Sequence, residues 1–385
     1  MNILLIQPES NSPTPRFAPS QALLILGTLA QDRGHKIKIL HIDTWDRSLV
    51  THLETFRPDI VGITVNTYQV SSARYAVDMV RTFGKSVRIV IGGPHAEWFD
   101  REVDERIIGE GENKWLALLG YEPMTELPPI NYGLVNLNDF TGITPVWATP
   151  STCMMASRGC FSKCTFCNSP LFWGTKVRLG KPEYIISELW RLHNNWKVKE
   201  MTFQDDTFNA SVKWATEILE RIIATGLNDK MIFKVMWRVS EKLITQELLD
   251  LAKKAGVRNI FYGVESGSQV MLDRMKKGIT VPEIRRAFDM THKMGITTIA
   301  SFIVGLPGET WNTIWETQRL ISKIKPTYLG WGYFVPFPGT EATKEAASKG
   351  HIKNIDYGHY AAGKLYARTD EMTLEDLKEF GGFNN

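Results

Sequence analysis

The feature that most constrains this 385-residue chain is a repeated exchange of short apolar runs for amphipathic segments, in two separate series. In the first, 3–6, 37–40, 60–65 and 87–91 are short, predominantly apolar runs that read as buried parallel strands. Between them, 21–32, 46–56 and 71–83 carry helical periodicity. In the second series, strands are expected at 152–157, 199–204, 231–238, 258–264, 297–304 and 328–334. Helices are expected at 182–195, 211–225, 245–255, 281–294 and 310–323. Alternation of this kind builds α/β sheets whose chemistry lies beyond the carboxyl ends of the strands. The expected fold is therefore a Rossmann-like doubly wound domain over 1–120, followed by a partial barrel of six βα units over 151–340. The proline-rich stretch 121–150 reads as a connector, and 341–385 as a short helical extension.

Bulk properties exclude several classes. Hydrophobic content of 43% and charged content of 23% belong to a soluble globular chain. A net charge of +3 without a basic arm gives no basis for nucleic-acid binding. No apolar run is long enough for a membrane span, and the first residues lack a signal-peptide pattern. A dinucleotide domain would place a glycine fingerprint after its first strand, but that position reads Gln7-Pro8-Glu9-Ser10 and argues against NAD and FAD.

Three of the four cysteines fall in one loop after the first strand of the second series: Cys160, Cys164 and Cys167, within Ser157-Arg158-Gly159-Cys160-Phe161-Ser162-Lys163-Cys164-Thr165-Phe166-Cys167. Three thiolates suit an iron–sulfur cubane with one iron left open for a ligand; closed structural sites use four ligands. Cys153 lies a strand-length upstream and completes no paired spacing. A zinc knuckle or three buried reduced cysteines are the bland alternatives. Cysteine usage of this kind indicates a reducing compartment, the cytoplasm.

The three-then-two cysteine spacing resembles that of radical SAM enzymes, and strand-end motifs across 150–345 fit the same family. They are Phe203-Gln204-Asp205-Asp206-Thr207-Phe208, Trp237-Arg238, Gly263-Val264-Glu265-Ser266-Gly267 with Lys276-Lys277-Gly278, Gly305-Leu306-Pro307-Gly308-Glu309 and Pro336-Phe337-Pro338-Gly339-Thr340. The resemblance implies a [4Fe-4S] cluster on Cys160, Cys164 and Cys167, with S-adenosyl-L-methionine (SAM) on the open iron. Arg238 is expected on the methionine carboxylate and Glu265 on the amino group or ribose. Phe166 and Gly305 are expected beside the nucleoside. Of Asp205 and Asp206, one is expected to cap a helix and one to serve the site, with Asp205 assigned to SAM.

In the first series, Gly92-Gly93-Pro94-His95 followed by Gly109-Glu110-Gly111-Glu112 resembles the cobalamin-binding domain that precedes some radical SAM domains. Pro19, Gly27 and Arg33-Gly34-His35 belong to the same pattern. The Asp-x-His-x-x-Gly motif of many cobalamin carriers is absent, so His35 and His41 read as surface or satisfied residues. The resemblance implies cobalamin contacts from Ser10, Asn66, Thr67, Tyr68, Gln69, Gly92, Gly93, Pro94, His95, Gly109, Glu110, Gly111 and Glu112. Tyr68 is the first choice beneath the corrin, and a plain helix-entry role is its alternative.

Together the two halves resemble the cobalamin-dependent radical SAM methyltransferases. That resemblance implies methyl transfer from SAM through cobalamin to an unactivated sp³ carbon, with an electron donor such as ferredoxin or flavodoxin and an anaerobic setting. A cobalamin-dependent cyclase or rearrangement enzyme, and a radical SAM enzyme with a vestigial cobalamin domain, remain alternatives. A non-catalytic sensor is the reading from another class. The compact layout is similar to glutamine C-methyltransferases of methanogens, which implies a protein side chain as acceptor; a small metabolite stays open. Tyr328, Trp331, Tyr333, Phe334 and Phe337 read as core, with a substrate mouth as the alternative.

Overall fold

The computed structural model describes residues 1–10, 16–42, 48–352, 356–361 and 363–381. The chain divides into two compact units, Met1–Thr141 with Ile355–Ala362, and Gly142–Asn354 with Gly363–Asn385. No described helix is long and apolar enough to cross a membrane.

The first unit is a five-stranded parallel sheet. Its strands are β1 (Asn2–Pro8), β2 (Lys36–Ile42), β3 (Ile60–Thr64), β4 (Arg88–Gly92) and β5 (Glu105–Ile107), in the order β2-β1-β3-β4-β5. Successive strand residues point to opposite faces, and both faces are covered. Leu4, Ile6, Val61, Ile63, Ile89 and Ile91 pack with Leu49, Leu53, Ala73 and Val77 on one side. Ile3, Leu5, Ile60 and Val90 pack with Leu23, Ala30 and Trp115 on the other. This double burial is why β1, β3 and β4 read as mainly apolar runs, whereas the edge strand β2 is mostly half-buried and carries Lys36 and Lys38. The helix expected over 46–56 is present as Ser48–Phe56, with 46 and 47 outside the described residues.

The second unit holds β6 (Ser151–Met154), a two-residue hairpin of β7 (Ser157–Arg158) and β8 (Arg178–Leu179), then β9 (Glu200–Phe203), β10 (Ile232–Trp237), β11 (Val257–Glu265), β12 (Thr297–Val304) and β13 (Tyr328–Tyr333). Six strands form one parallel sheet in chain order, β6-β9-β10-β11-β12-β13. Each helical crossover adds the next strand on the same side, the arrangement of a partial barrel. Residues aligned by register alternate between two environments. Met154, Phe203, Val235, Tyr262, Ala300 and Phe302 are buried beneath the helices, whereas Met236, Phe261, Ile299, Ser301 and Ile303 on the inner face are half-buried.

The segments flanking the two sheets are packed. Within 121–150, expected as a connector, Ile130, Tyr132, Leu137 and Phe140 are buried, and the Asn131 amide donates to Thr28 Oγ1 at 2.9 Å. The stretch from 142 belongs to the second unit. There the Trp147 and Ala148 amides donate to Glu200 Oε2 at 2.7 and 3.1 Å. Apolar residues scattered among prolines have no period, which hides their burial from a periodicity argument. In the tail beyond Thr340, Met372, Leu377 and Phe380 pack with Val304 and Ile314, and Trp331 and Tyr333 lie partly buried against them. Of the aromatics expected as core near the sixth barrel strand, Phe334 is buried, whereas Tyr328 is exposed.

Candidate functional site

The three cysteines sit on the loop that follows β7, all half-buried. The loop is braced at three points. At its start, buried Asp205 accepts from the Ala156 amide (3.2 Å), the Ser157 amide and the Ser157 hydroxyl (2.5 Å). Burial pushes the Asp205 carboxyl up to about 7, against the pull of those three donors. In the middle, the Thr165 amide donates to the Met275 carbonyl and its carbonyl accepts from Ala342, both at 2.9 Å. At the end, the Ser169 amide donates to Cys167 Sγ at 3.4 Å, and Ser169 Oγ to Asp206 Oδ1 at 2.7 Å. Cys160 Sγ lies 3.6 Å from Thr207 Oγ1. Burial raises the Cys167 thiol above its ordinary range.

This corrects the reading of the aspartates. Asp205 does not present its carboxylate to a ligand, and Asp206 caps no helix; Ser211 caps the helix Val212–Ala224. Both acids hold the cysteine loop, because buried amides at a strand-to-loop turn require an acceptor. Among the described residues no three His, Cys, Asp or Glu side chains converge as ligands of a single ion. A cubane places each thiolate on a different iron and needs no such convergence, so the loop fits a cluster better than a zinc knuckle.

Around this loop the strand ends gather charge. After β10, the Asn209 side chain holds both main-chain groups of Arg238 (2.8 and 3.0 Å), leaving the guanidinium over the Phe161 ring at 5.7 Å. At the end of β11, Glu265 has a left-handed backbone (φ +69°), an uncommon conformation for a residue with a Cβ. Its Oε1 pairs with Lys277 Nζ at 2.7 Å and its Oε2 accepts from Ser301 Oγ at 3.3 Å. A Cβ on Gly263 would lie 2.7 Å from Glu265 Oε1, so glycine is what admits the pair against the strand. Lys277 Nζ also lies 5.9 Å over the Phe166 ring, and Phe166 packs with Met271, Met275 and Leu306. After β12, the Gly305 amide donates to Glu309 Oε2 at 2.5 Å; Glu309 is fully buried and pushed up to about 8 by that burial.

The structure thus brings Phe166, Arg238, Glu265 and Gly305 to the cysteine-bearing end of the barrel and sets Asp205 beneath the loop. Lys277, Ser301, Asn209 and Glu309 are additions that no spacing rule singled out. A donor set of one guanidinium, one ammonium and one carboxylate suits the carboxylate and amino group of an amino-acid headgroup such as that of SAM.

In the first unit, Asn66 caps the turn Thr67–Gln69. Its side chain accepts from the Tyr68 amide, and Gln69 Oε1 accepts from the Asn66 amide, both at 3.0 Å. Thr67 Oγ1 lies 3.2 Å from Nδ1 of His95, which is buried, set edge-on to Tyr357 at 4.8 Å and held down to about 4 by burial. Gly93 (φ +97°) is required by the chain itself, since a Cβ there would lie 2.7 Å from the Val65 carbonyl. The side chains of Asn66, Thr67, Gln69 and His95 shape these loops through hydrogen bonds within them. Glu112 is buried at the first turn of its helix. Ser10, Tyr68, Gly92, Pro94, Gly109 and Gly111 are half-buried and Glu110 is exposed. His35 bonds Met1 and Tyr121 at the opposite end of the sheet.

Comparison with known proteins agrees with both units. Residues 154–321 match the radical SAM superfamily and residues 15–119 the B12-binding domain, together more than half of the chain. An uncharacterized methyltransferase of Pyrococcus horikoshii is 27% identical over 425 residues, covering 98% of this chain and 90% of its own. The chain belongs to the cobalamin-dependent radical SAM methyltransferase family. Another member-like relative is the anaerobic magnesium-protoporphyrin IX monomethyl ester cyclase of Cereibacter sphaeroides, 28% identical over 88% of this chain; the match spans 60% of that relative's length. Among solved structures, the radical SAM methyltransferase TsrM from Kitasatospora setae has the same fold (TM-score 0.72, 20% identity, 90% of this chain and 75% of that one). The cofactors of such a two-domain methyltransferase are a [4Fe-4S] cluster, SAM and cobalamin.

Proposed function

We propose that this enzyme methylates an unactivated sp³ carbon. One observation carries the reading: a three-cysteine loop at the carboxyl end of a six-stranded partial barrel, ringed by Arg238, the Glu265–Lys277 pair and Gly305, in a chain that opens with a B12-binding domain. When bound, the cluster and SAM supply radical chemistry, and cobalamin serves as methyl carrier. The protein positions the reactants. Cys160, Cys164 and Cys167 hold the cluster, Arg238 takes the SAM carboxylate, Glu265 its amino group or ribose, and Phe166 and Gly305 flank the nucleoside. In the first unit Tyr68 and the loops 92–95 and 109–112 meet the corrin.

For the acceptor, the inner wall favours an apolar group. Met236, Phe261, Ile299 and Ile303 line it beside Ser301, and β13 sets Tyr328, Gly330 and Gly332 in register on the same face. An apolar small molecule suits this wall better than the glutamine side chain expected from the sequence. Ring closure without methyl transfer is the second reading, favoured by the likeness to the Cereibacter sphaeroides cyclase. Free thiols at all four cysteines fit a reducing, anaerobic cytoplasm, where a ferredoxin- or flavodoxin-class donor supplies the electron.

The test is anaerobic reconstitution with iron, sulfide and cobalamin, followed by SAM turnover under dithionite. Retained cobalamin with formation of 5′-deoxyadenosine and S-adenosylhomocysteine supports methyl transfer. 5′-Deoxyadenosine alone, with an acceptor consumed, favours the cyclase reading. Alanine at Cys160, Cys164 or Cys167 is expected to abolish both products and the cluster's absorbance.

A further inference from the structure

The first unit is not built from the N-terminal part of the chain alone. Ile355–Ala362 belongs to it, although the chain on either side of this strap belongs to the second unit. Among the strap's described residues, Asp356 caps the turn Tyr357–His359 by accepting from the Gly358 amide at 2.9 Å. Charge pins the turn from outside. Arg74, on the helix Val70–Phe83, pairs with Asp356 at 2.9 Å and donates from Nε to Asp100 at 2.9 Å. One guanidinium thus joins the strap to the segment between β4 and β5. Gly358 is buried, and a Cβ there would collide with that same guanidinium.

Tyr357 bears on a polar link between two loops. Its ring meets His95 edge-on at 4.8 Å and Tyr360 at 4.9 Å, and packs against the core of the first sheet. His95 is 1% exposed, and its Nδ1 lies 3.2 Å from Thr67 Oγ1, so it ties the loop after β4 to the turn after β3. Tyr68 sits in that turn, its amide held by Asn66. Both loops lie at the carboxyl ends of their strands, where an open α/β sheet binds its ligand. Nε2 of His95 is buried and, among the described residues, has no hydrogen-bond partner. A buried polar atom left open is costly unless a ligand group fills it, and the amide-bearing rim of cobalamin offers such groups.

We propose that Tyr357 is a positioning residue for cobalamin: set against His95, it fixes, through the His95–Thr67 link, the turn that carries Tyr68. The inference rests on the cobalamin reading above and deepens it, because it makes a segment from the far end of the chain part of what shapes the site. Tyr357 acts through His95 and needs no contact with the corrin. The ion pair of Asp356 with Arg74 keeps the ring in place from the surface side.

The test uses the full chain with its cluster reconstituted and measures the dissociation constant of hydroxocobalamin by equilibrium dialysis. A close aromatic pair is worth up to about tenfold in an equilibrium constant, so Tyr357→Ala should weaken binding by about that factor with the cluster's absorbance unchanged. Tyr357→Phe keeps the ring and should bind within about twofold of wild type. Thr67→Val removes only the hydroxyl at the other end of the link. Combined with Tyr357→Ala, it should lose no more than the weaker-binding single variant, whereas independent sites would multiply their losses. Asp356→Asn keeps an acceptor for the Gly358 amide but gives up the ion pair, which loosens the strap without emptying the core. It should lose about threefold, a difference that shrinks at high salt. Binding by Tyr357→Ala within about twofold of wild type would overturn the proposal. So would multiplied losses in the double variant, or a Tyr357→Phe that binds no better than Tyr357→Ala. A wild type that retains no hydroxocobalamin would instead sink the cobalamin reading itself.

Discussion

Replacing Lys277 by methionine tests whether the Glu265–Lys277 pair is a desolvated unit at the SAM-binding end of the barrel. The two charges are 2.7 Å apart, and their side chains are only 9% and 10% exposed. Methionine preserves much of the volume but leaves the Glu265 carboxylate with Ser301 Oγ, at 3.3 Å, as its remaining side-chain partner. Breaking a buried pair from one side costs about 3–5 kcal/mol, whereas removing both charges is often nearly neutral. Lys277→Met should therefore lose on the order of 3 kcal/mol in urea unfolding of the apo chain, followed by tryptophan fluorescence. The double variant Glu265→Gln with Lys277→Met should recover most of it, giving a coupling well above the ~0.5 kcal/mol expected of independent sites. SAM binding behaves differently. Both variants should weaken it at least tenfold, about 1.4 kcal/mol, because the headgroup loses its charged partners in each. If the single variant loses less than about 1 kcal/mol, or the double variant is no more stable than the single, the pair is solvated and the argument fails.

Other outcomes follow from the same geometry. Glu309, pushed up to about 8 by burial, keeps its proton in the folded state while the unfolded chain releases it near 4.5. Its contribution is complete below the unfolded value and is lost as pH rises toward 8, by up to about 1.4 kcal/mol per pH unit. Glu309→Gln keeps an acceptor for the Gly305 amide, so urea unfolding should find the variant gaining on wild type steadily from pH 5 to 8. His41 and His95 are both held down to about 4 by burial, so protons bind the unfolded chain first below pH 6.5. The first unit should lose stability as pH falls from 6.5 to 4, and far-UV circular dichroism against urea at pH 5 and 7 measures it. Gly332 has no positive φ, and a Cβ there would meet nothing nearer than the Phe302 carbonyl at 4.0 Å. Glycine within a strand costs about 0.5–1 kcal/mol relative to alanine. Gly332→Val should hold or raise the unfolding midpoint and leave acceptor-free SAM cleavage unchanged; unchanged methyl transfer would remove the β13 wall from the acceptor site.

What the sequence made legible was whatever is local. Strand and helix periods placed every parallel strand from β1 to β4 and all six of the barrel, because each is buried on a face its own residues define. The cysteine spacing lies within eight residues. What it concealed depends on partners far along the chain. Asp205 looked like a helix cap or a ligand because its true partners, Ala156 and Ser157, are brought to it only by the pairing of β6 with β9. Lys277 stood in a quoted motif without a role until the fold set it against Glu265. Tyr357 meets His95 across some 260 residues, and no period reports such a contact. Gly93 illustrates the converse: a glycine expected to admit a ligand is required by the Val65 backbone.

The barrel holds a second buried ion pair, and comparing the two shows how structural and ligand-binding charges differ here. Glu200 and Lys234 lie 2.6 Å apart at the amino ends of β9 and β10, away from the cysteine loop. Every donor of Lys234 is used, by Glu200 and by the carbonyls of Ile143 and Pro145. Glu200 in turn accepts from Trp147, Ala148 and Ser151. That pair is saturated by its own chain and pins 143–151 beneath the sheet. At the other end, Lys277 has three donors and, among the described residues, one hydrogen-bond acceptor, Glu265. Among the described residues, Arg238 donates no side-chain hydrogen bond there and its guanidinium lies over the Phe161 ring. A buried ammonium with unused donors is costly unless something fills them. The saturated pair is thus a staple, and the unsaturated one marks where the chain expects an anionic group to arrive.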